Sequence, residues 1–230
     1  MVAKERYSFL KTLVAFLLIG LCLWAAQWQY QRGVDRHARN TVIAKQSVMA
    51  PVNLSEIKGG TKSFEWRTIT LRGNFDERNQ ILLRNRYNEG VYGFEQLTLF
   101  AFDGRNIWVD RGWIKAGANA TITPRLQETI SDDIEITGRI RLDSSLPQGR
   151  FFAVANNSEK NLVAQLDARK GIQTEDFYLD LISTSNSAMN PDAPAELPEL
   201  SDGPHMAYAL QWLFFAGLII YGRRLIYKTA

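Results

Sequence analysis

"SDGPHMAYALQWLFFAGLIIYGRR", residues 201–224, decides what kind of protein this is. Pro204 and His205 stand at its head, the run from Met206 to Gly222 carries no charge, and Arg223 and Arg224 close it. A bilayer core about 30 Å thick takes roughly 17–25 helical residues. The run therefore reads as a transmembrane helix with a histidine at its mouth. A second candidate lies at the other end of the chain. "FLKTLVAFLLIGLCLWAAQW", Phe9 to Trp28, carries one charge, Lys11, at its edge. Gln27, Trp28, Gln29 and Tyr30 follow its apolar stretch, where the small residues of a signal cleavage site belong, so it reads as a retained anchor. No Arg- and Ser-rich amphipathic segment precedes it, which argues against a mitochondrial transit peptide and for a bacterial protein or a mature form.

Orientation follows from positive charge. Asp202 precedes the second run with no nearby Lys or Arg, whereas Arg223, Arg224 and Lys228 follow it. The C-terminus is expected in the cytoplasm. Two spans then place both termini there, with residues from about 33 to 204 in the periplasm and the chain as a multi-pass protein of the bacterial inner membrane. The formal charge of +3 does not indicate nucleic acid. Residues 33–204 hold 20 basic and 23 acidic side chains, and the basic excess sits on the membrane flanks. There it orients the spans and meets anionic lipid. The one cysteine, Cys22, lies within the first run and excludes an internal disulfide.

Between the runs the chain reads as strands. A polar, roughly helical continuation is expected to about Ser47, then the turn-rich "SEIKGGTKS". "FEWRTITLRGNF", "NQILLRNR", "VYGFEQLTLFAF", "GRNIWVDRGWI", "DIEITGRIRL" and "DFYLDLI" have strand composition. Asn88-Glu89-Gly90 and Asp103-Gly104 are turn signals. A short helix is expected in "TPRLQETI", capped by Thr123, and another from a Ser158 cap to a Gly171 stop. Strands joined by short turns predict an antiparallel sheet or small barrel. Four of the seven prolines fall in residues 184–204, which read as an extended linker. The expected architecture is an α+β membrane protein: transmembrane helix 9–31, a mainly antiparallel β-rich periplasmic domain 32–183, a Pro-rich linker 184–204, and transmembrane helix 205–222.

No GxSxG, HExxH, Walker or GxGxxG pattern is present, and two histidines in the whole chain leave no basis for a histidine triad in the domain. A binding or scaffold protein is expected rather than an enzyme. Polar and aromatic residues do gather at one membrane level. Gln27 and Gln31 share a helix face with Trp24; Trp28 and Arg32 lie beside them. On the second run His205, Tyr208, Ala209 and Trp212 share a face. In an antiparallel pair these two groups stand at the same depth. Two readings of His205 remain open: an interfacial cap or helix–helix hydrogen bond, and ligation of a haem iron. Aromatic groups would cover the macrocycle and Arg would pair with its propionates. His37 reads as a solvated juxtamembrane residue. "WVDRGWI", Trp108 to Ile114, reads either as an edge strand with a local ion pair or as a partner-binding surface built on Trp108, Arg111 and Trp113.

Taken in order, "WQYQR", "WRTITLRGNF", "LRNR", "GFEQLTLF", "WVDRGWI", "IEITGRIR" and "PHMAYALQW" resemble the Surfeit locus protein 1 family over nearly the whole chain. The resemblance implies an assembly factor for haem-copper cytochrome c oxidase. Its partners would be subunit I and other assembly factors, and its cargo haem a. It also implies His205 as haem ligand, and the helix faces read above then offer Trp212, Tyr208, Gln27, Trp24, Trp28 and Arg32 as its surroundings. A non-haem scaffold that clasps an assembling subunit is the rival reading.

Overall fold

A closed five-stranded barrel grows from the two turns visible in the sequence. The computed structural model describes residues 7–117, 124–127, 129, 132–142 and 162–229. Strand β1 (Thr68–Asn88) turns into β2 (Val91–Phe102), and β2 turns into β3 (Arg105–Lys115). Both turns need positive φ at two successive positions, as hairpins of the right twist do. Glu89 and Gly90 take φ of 50° and 78°, and Asp103 and Gly104 take 45° and 70°. Strands β4 (Ile134–Arg141) and β5 (Tyr178–Thr184) close the barrel in the order β1-β2-β3-β5-β4.

Two departures from the sequence reading matter. The segments "FEWRTITLRGNF" and "NQILLRNR" are not two strands but one, β1, interrupted by an excursion. Asp76 pairs with Leu99 and Gln80 with Thr98, so four steps on β1 match one on β2. The three extra residues are an odd number, and an odd slip exchanges the faces of a strand. Ile69, Leu71 and Phe75 therefore point into the barrel with Phe100, Val109, Ile136 and Leu179. Ile81 and Leu83 point outward and pack with Leu97, Leu99, Trp108 and Tyr178 under helix α2 (Leu162–Lys170), through Val163 and Leu166. The second departure is that β3 and β5 run parallel, pairing Trp108 with Tyr178 and Asp110 with Asp180. The other four barrel pairings are antiparallel.

Helix α2 stops at Gly171, whose φ is 66°, where a C-terminal glycine is expected; the Ser158 cap lies outside the described residues. Residues 124–127 form no helix, and the Thr123 cap is likewise outside the described residues. The Pro-rich segment is not a free spacer along its first part. Met189 enters the barrel core, the Trp113 amide donates to the Ala193 carbonyl at 2.9 Å, and Arg139 Nη1 donates to the Ala195 carbonyl at 3.3 Å. Residues 189–195 form a strap on the barrel wall.

The chain divides into two compact units, Lys45–Pro198 and the pair of terminal helices. Helix α1 (Ser8–Ser47) runs unbroken through the polar continuation, and α3 (His205–Thr229) carries the second apolar run. Both helices are long and apolar enough to cross a membrane. The chain is thus a mixed helix and sheet protein, with an apolar helix on either side of a β unit in the sequence.

Candidate functional site

The helix pair meets along small residues. On α1 the buried positions include Ala15, Cys22, Ala25, Ala26 and Gly33; on α3 they are Ala209 and Ala216. Half-buried residues extend both seams at spacings of three and four: Ser8, Thr12, Ile19 and Gln29 on α1, and His205, Trp212, Ile219 and Arg223 on α3. Such spacing keeps one face toward a partner helix, and small side chains let backbones approach. Gly33 marks the approach: a Cβ there would lie 3.1 Å from Met206 Cε and 3.4 Å from His205 Cβ. At the other end Arg223 Nε donates to Thr12 Oγ1 at 3.0 Å, and its Nη2 donates to Ser8 Oγ at 2.9 Å.

His205 occupies the seam. Its Nδ1 lies 2.9 Å from Gln29 Oε1. In the tautomer with Nδ1 protonated, the ring donates to this oxygen and leaves the Nε2 lone pair free. An imidazole oriented in this way by a carbonyl oxygen on its other nitrogen is the form that ligates metals. The sequence reading placed Gln27 here; the structure places Gln29. Gln27 and Gln31 are exposed on the side of α1 away from the seam, together with Trp24. Gln31 Nε2 donates to Asp35 instead, at 2.9 Å. Trp28 is exposed, with the Arg32 guanidinium 5.1 Å from its ring centroid. Trp212 lies on the seam two turns beyond His205, edge-on to Phe215, while Tyr208 is exposed. The structure therefore brings together His205 and Gln29, with Trp212 two turns farther along the same seam. The expected convergence of Trp24, Gln27, Trp28 and Arg32 on His205 does not form, because at 3.6 residues per turn these side chains leave the seam. His37 is more than a solvated residue: Nδ1 lies 2.7 Å from Asp202 Oδ2, and Asn40 Nδ2 donates to Oδ1 of the same carboxylate at 3.0 Å. The hydrogen bond from His37 holds the Asp202 carboxyl below its ordinary range.

The "WVDRGWI" strand requires a correction. Trp108 is fully buried, and its Nε1 donates to Asp167 of α2 at 3.0 Å. Arg111 is 1% exposed, lies 5.0 Å from the Phe75 ring centroid, and donates from Nη1 to the Gln127 carbonyl at 3.1 Å. Neither residue presents a surface, because β3 is an interior strand of the barrel with β2 on one side and β5 on the other. Only Trp113 of the three is partly exposed. Gly112 is a bulge with φ of 91°, and a Cβ there would meet the Ala193 carbonyl at 2.3 Å.

Sequence reasoning missed a second polar constellation on the outer face of the barrel. Parallel pairing sets Asp110 beside Asp180. Asp180 takes Arg141 Nη1 at 2.6 Å, with Arg139 at 3.7 Å, and Glu95 takes Arg86 at 2.6 Å. The Asp110 Oδ1 accepts from the Gly112 amide at 2.8 Å. Burial, together with the nearby Glu95 and Asp180 carboxylates, pushes the Asp110 carboxyl well above its usual range. The parallel β3–β5 pairing creates this juxtaposition, and no local signal announces it.

One helix apolar enough to cross a membrane precedes the barrel in the sequence and another follows it, an arrangement compatible with membrane association. Residues 16–217 match the profile of the SURF1 family, and the chain belongs to that family. Similar proteins include uncharacterized SURF1-like proteins of Mycobacterium bovis and Mycobacterium tuberculosis. Each is 27% identical over 200 residues, which is 83% of this chain and 72% of the relative.

Proposed function

We propose that this chain is an inner-membrane assembly factor for haem-copper cytochrome c oxidase that holds haem a for subunit I. The observation that supports the reading is the His205–Gln29 pair, in which Nδ1 donating to Gln29 Oε1 would leave Nε2 for a ligand. His205 would hold the iron through Nε2. Trp212 and Tyr208, on the same helix, supply aromatic surface beside it. The iron and its macrocycle supply the redox chemistry, which belongs to the oxidase that receives them. What this chain does is bind, orient and shield, so the proposal assigns it no catalysis. The helices run with both termini in the cytoplasm and the barrel in the periplasm, as Arg223, Arg224 and Lys228 direct. A phosphatase fused at Gly104 is then active; an inactive fusion overturns this orientation.

One observation favours the second reading, a scaffold without haem. Trp24, Gln27 and Gln31 form an exposed stripe on α1 opposite the α3 seam. Polar side chains at membrane depth seek a partner helix. In cells lacking this protein, the first reading predicts that subunit I is made but is poor in haem a. The scaffold reading predicts that subunit I itself is lost. Unchanged oxidase activity in such cells contradicts both.

A further inference from the structure

Arg32 lies against the exposed Trp28 ring, and a different arginine of α1 stands beside the imidazole of His205. Arg36 follows Gln29 by about two turns of α1, so it returns to nearly the same face, and it is half-buried. Its Nε donates to the Ser201 carbonyl at 2.6 Å, which ties the guanidinium to the segment that leads into α3. Gly203 lies between Arg36 and His205. Its φ of 67° suits glycine, and a Cβ there would be 3.4 Å from Arg36 Nη1 and 3.7 Å from His205 Cδ2. Cδ2 is the ring carbon bonded to Nε2. The Nε2 edge of the imidazole and the outer end of the guanidinium therefore border one notch, left open by the missing side chain of an exposed glycine.

Only Nε of the Arg36 guanidinium is engaged by a hydrogen bond among the described residues. The nearby carboxylate, Asp202, has both oxygens taken, by His37 Nδ1 at 2.7 Å and by Asn40 Nδ2 at 3.0 Å. Nη1 and Nη2 remain, and their planar fork fits a carboxylate. We infer that Arg36 receives a carboxylate of the group that His205 binds, so that the site selects a macrocycle with free carboxylates; this rests on the haem reading. A haem carries its iron at the centre and its propionates at the rim. An imidazole and a guanidinium on either side of one notch match those two parts. Gln29 holds the first and the Ser201 carbonyl holds the second, so both are in place before a ligand arrives. The half-buried setting strengthens the pairing relative to bulk water.

The test uses the full chain in neutral detergent, purified without haem, and titrates it with ferric haem b and with the dimethyl ester of ferric haem b. Soret absorbance and tryptophan quenching report binding, and each affinity is corrected for the ligand's partition into micelles. Wild type should prefer the free acid to the ester by about tenfold or more. Arg36→Gln should lose most of that preference, Arg36→Lys should keep part of it, and Arg32→Gln should keep all of it. His205→Ala should weaken both ligands and keep the preference. An arginine that only ties Ser201 to α1 would, when replaced, weaken acid and ester alike. That result overturns the inference and leaves the haem reading standing, as does equal affinity of wild type for acid and ester. Failure of wild type to bind either ligand overturns the haem reading and this inference together.

Discussion

Replacing Asp180 by alanine should be the most damaging single change in the barrel. Its carboxylate is 2% exposed and faces two arginines that are themselves largely covered, Arg141 at 2.6 Å and Arg139 at 3.7 Å. Arg141 also lies 3.9 Å from the Trp66 ring centroid, so it cannot swing freely to water without giving up that contact. Removing one member of a buried pair leaves the other as an uncompensated charge, at a loss of about 3–5 kcal/mol. Domains of this size have roughly 5–15 kcal/mol in total. At about 2–4 °C per kcal/mol, the midpoint should fall by roughly 6–20 °C. Thermal unfolding of the full chain in detergent, followed by far-ultraviolet circular dichroism, measures it. Asp180→Asn should lose less, because an amide oxygen still accepts from Arg141. Asp180→Leu combined with Arg141→Met should recover part of the loss, since no unpaired carboxylate or Arg141 charge then remains. A midpoint for Asp180→Ala within about 2 °C of wild type would show that these arginines are solvated, and would refute the reasoning.

Three further outcomes follow from the same geometry. Because the folded protein raises the Asp110 carboxyl, the native state binds its proton more tightly than the unfolded chain; this contribution to stability is present below the ordinary carboxylate range and is lost as pH rises through the raised value. Asp110→Asn keeps an acceptor for the Gly112 amide and should flatten that part of the pH–stability curve; an unchanged curve argues that Asp110 does not titrate there. Gly112→Ala combines a positive φ with a 2.3 Å clash against the strap, so it should destabilise by about 1–3 kcal/mol and raise protease cleavage within 189–195; an unchanged midpoint and digest contradict the strap. Gly33→Leu should force α1 and α3 apart at His205, abolishing a cross-link between cysteines introduced at Gln29 and His205; persistence of the cross-link shows that the seam lies elsewhere.

Much of this architecture was legible in the sequence, because the signals were local. Long apolar runs marked the two helices. Asn88-Glu89-Gly90 and Asp103-Gly104 marked the hairpins, and Gly171 marked a helix end. The hidden parts depend on pairing between distant residues. The face exchange across Asp76–Gln80 depends on the register with β2, and the Asp110–Asp180 pair depends on parallel contact with β5. A Trp-Val-Asp-Arg-Gly-Trp strand looks like a surface until both of its edges are known to be paired. The helix seam was within reach: Ala15, Cys22, Ala26 and Gly33 fall at spacings of seven and four, and following them selects Gln29 over Gln27. The small residues, not the polar ones, set the rotation of α1.

The most direct measurement of the central claim is the reduced-minus-oxidised spectrum of this protein, purified from cells that make haem a. Wild type is expected to carry haem a. His205→Ala should insert and fold but lose the haem signal, and Gln29→Leu should retain a weaker or shifted one because Nδ1 has lost its acceptor. Equal haem content in wild type and His205→Ala, or no haem in the wild type, would contradict ligation by His205 and leave the scaffold reading.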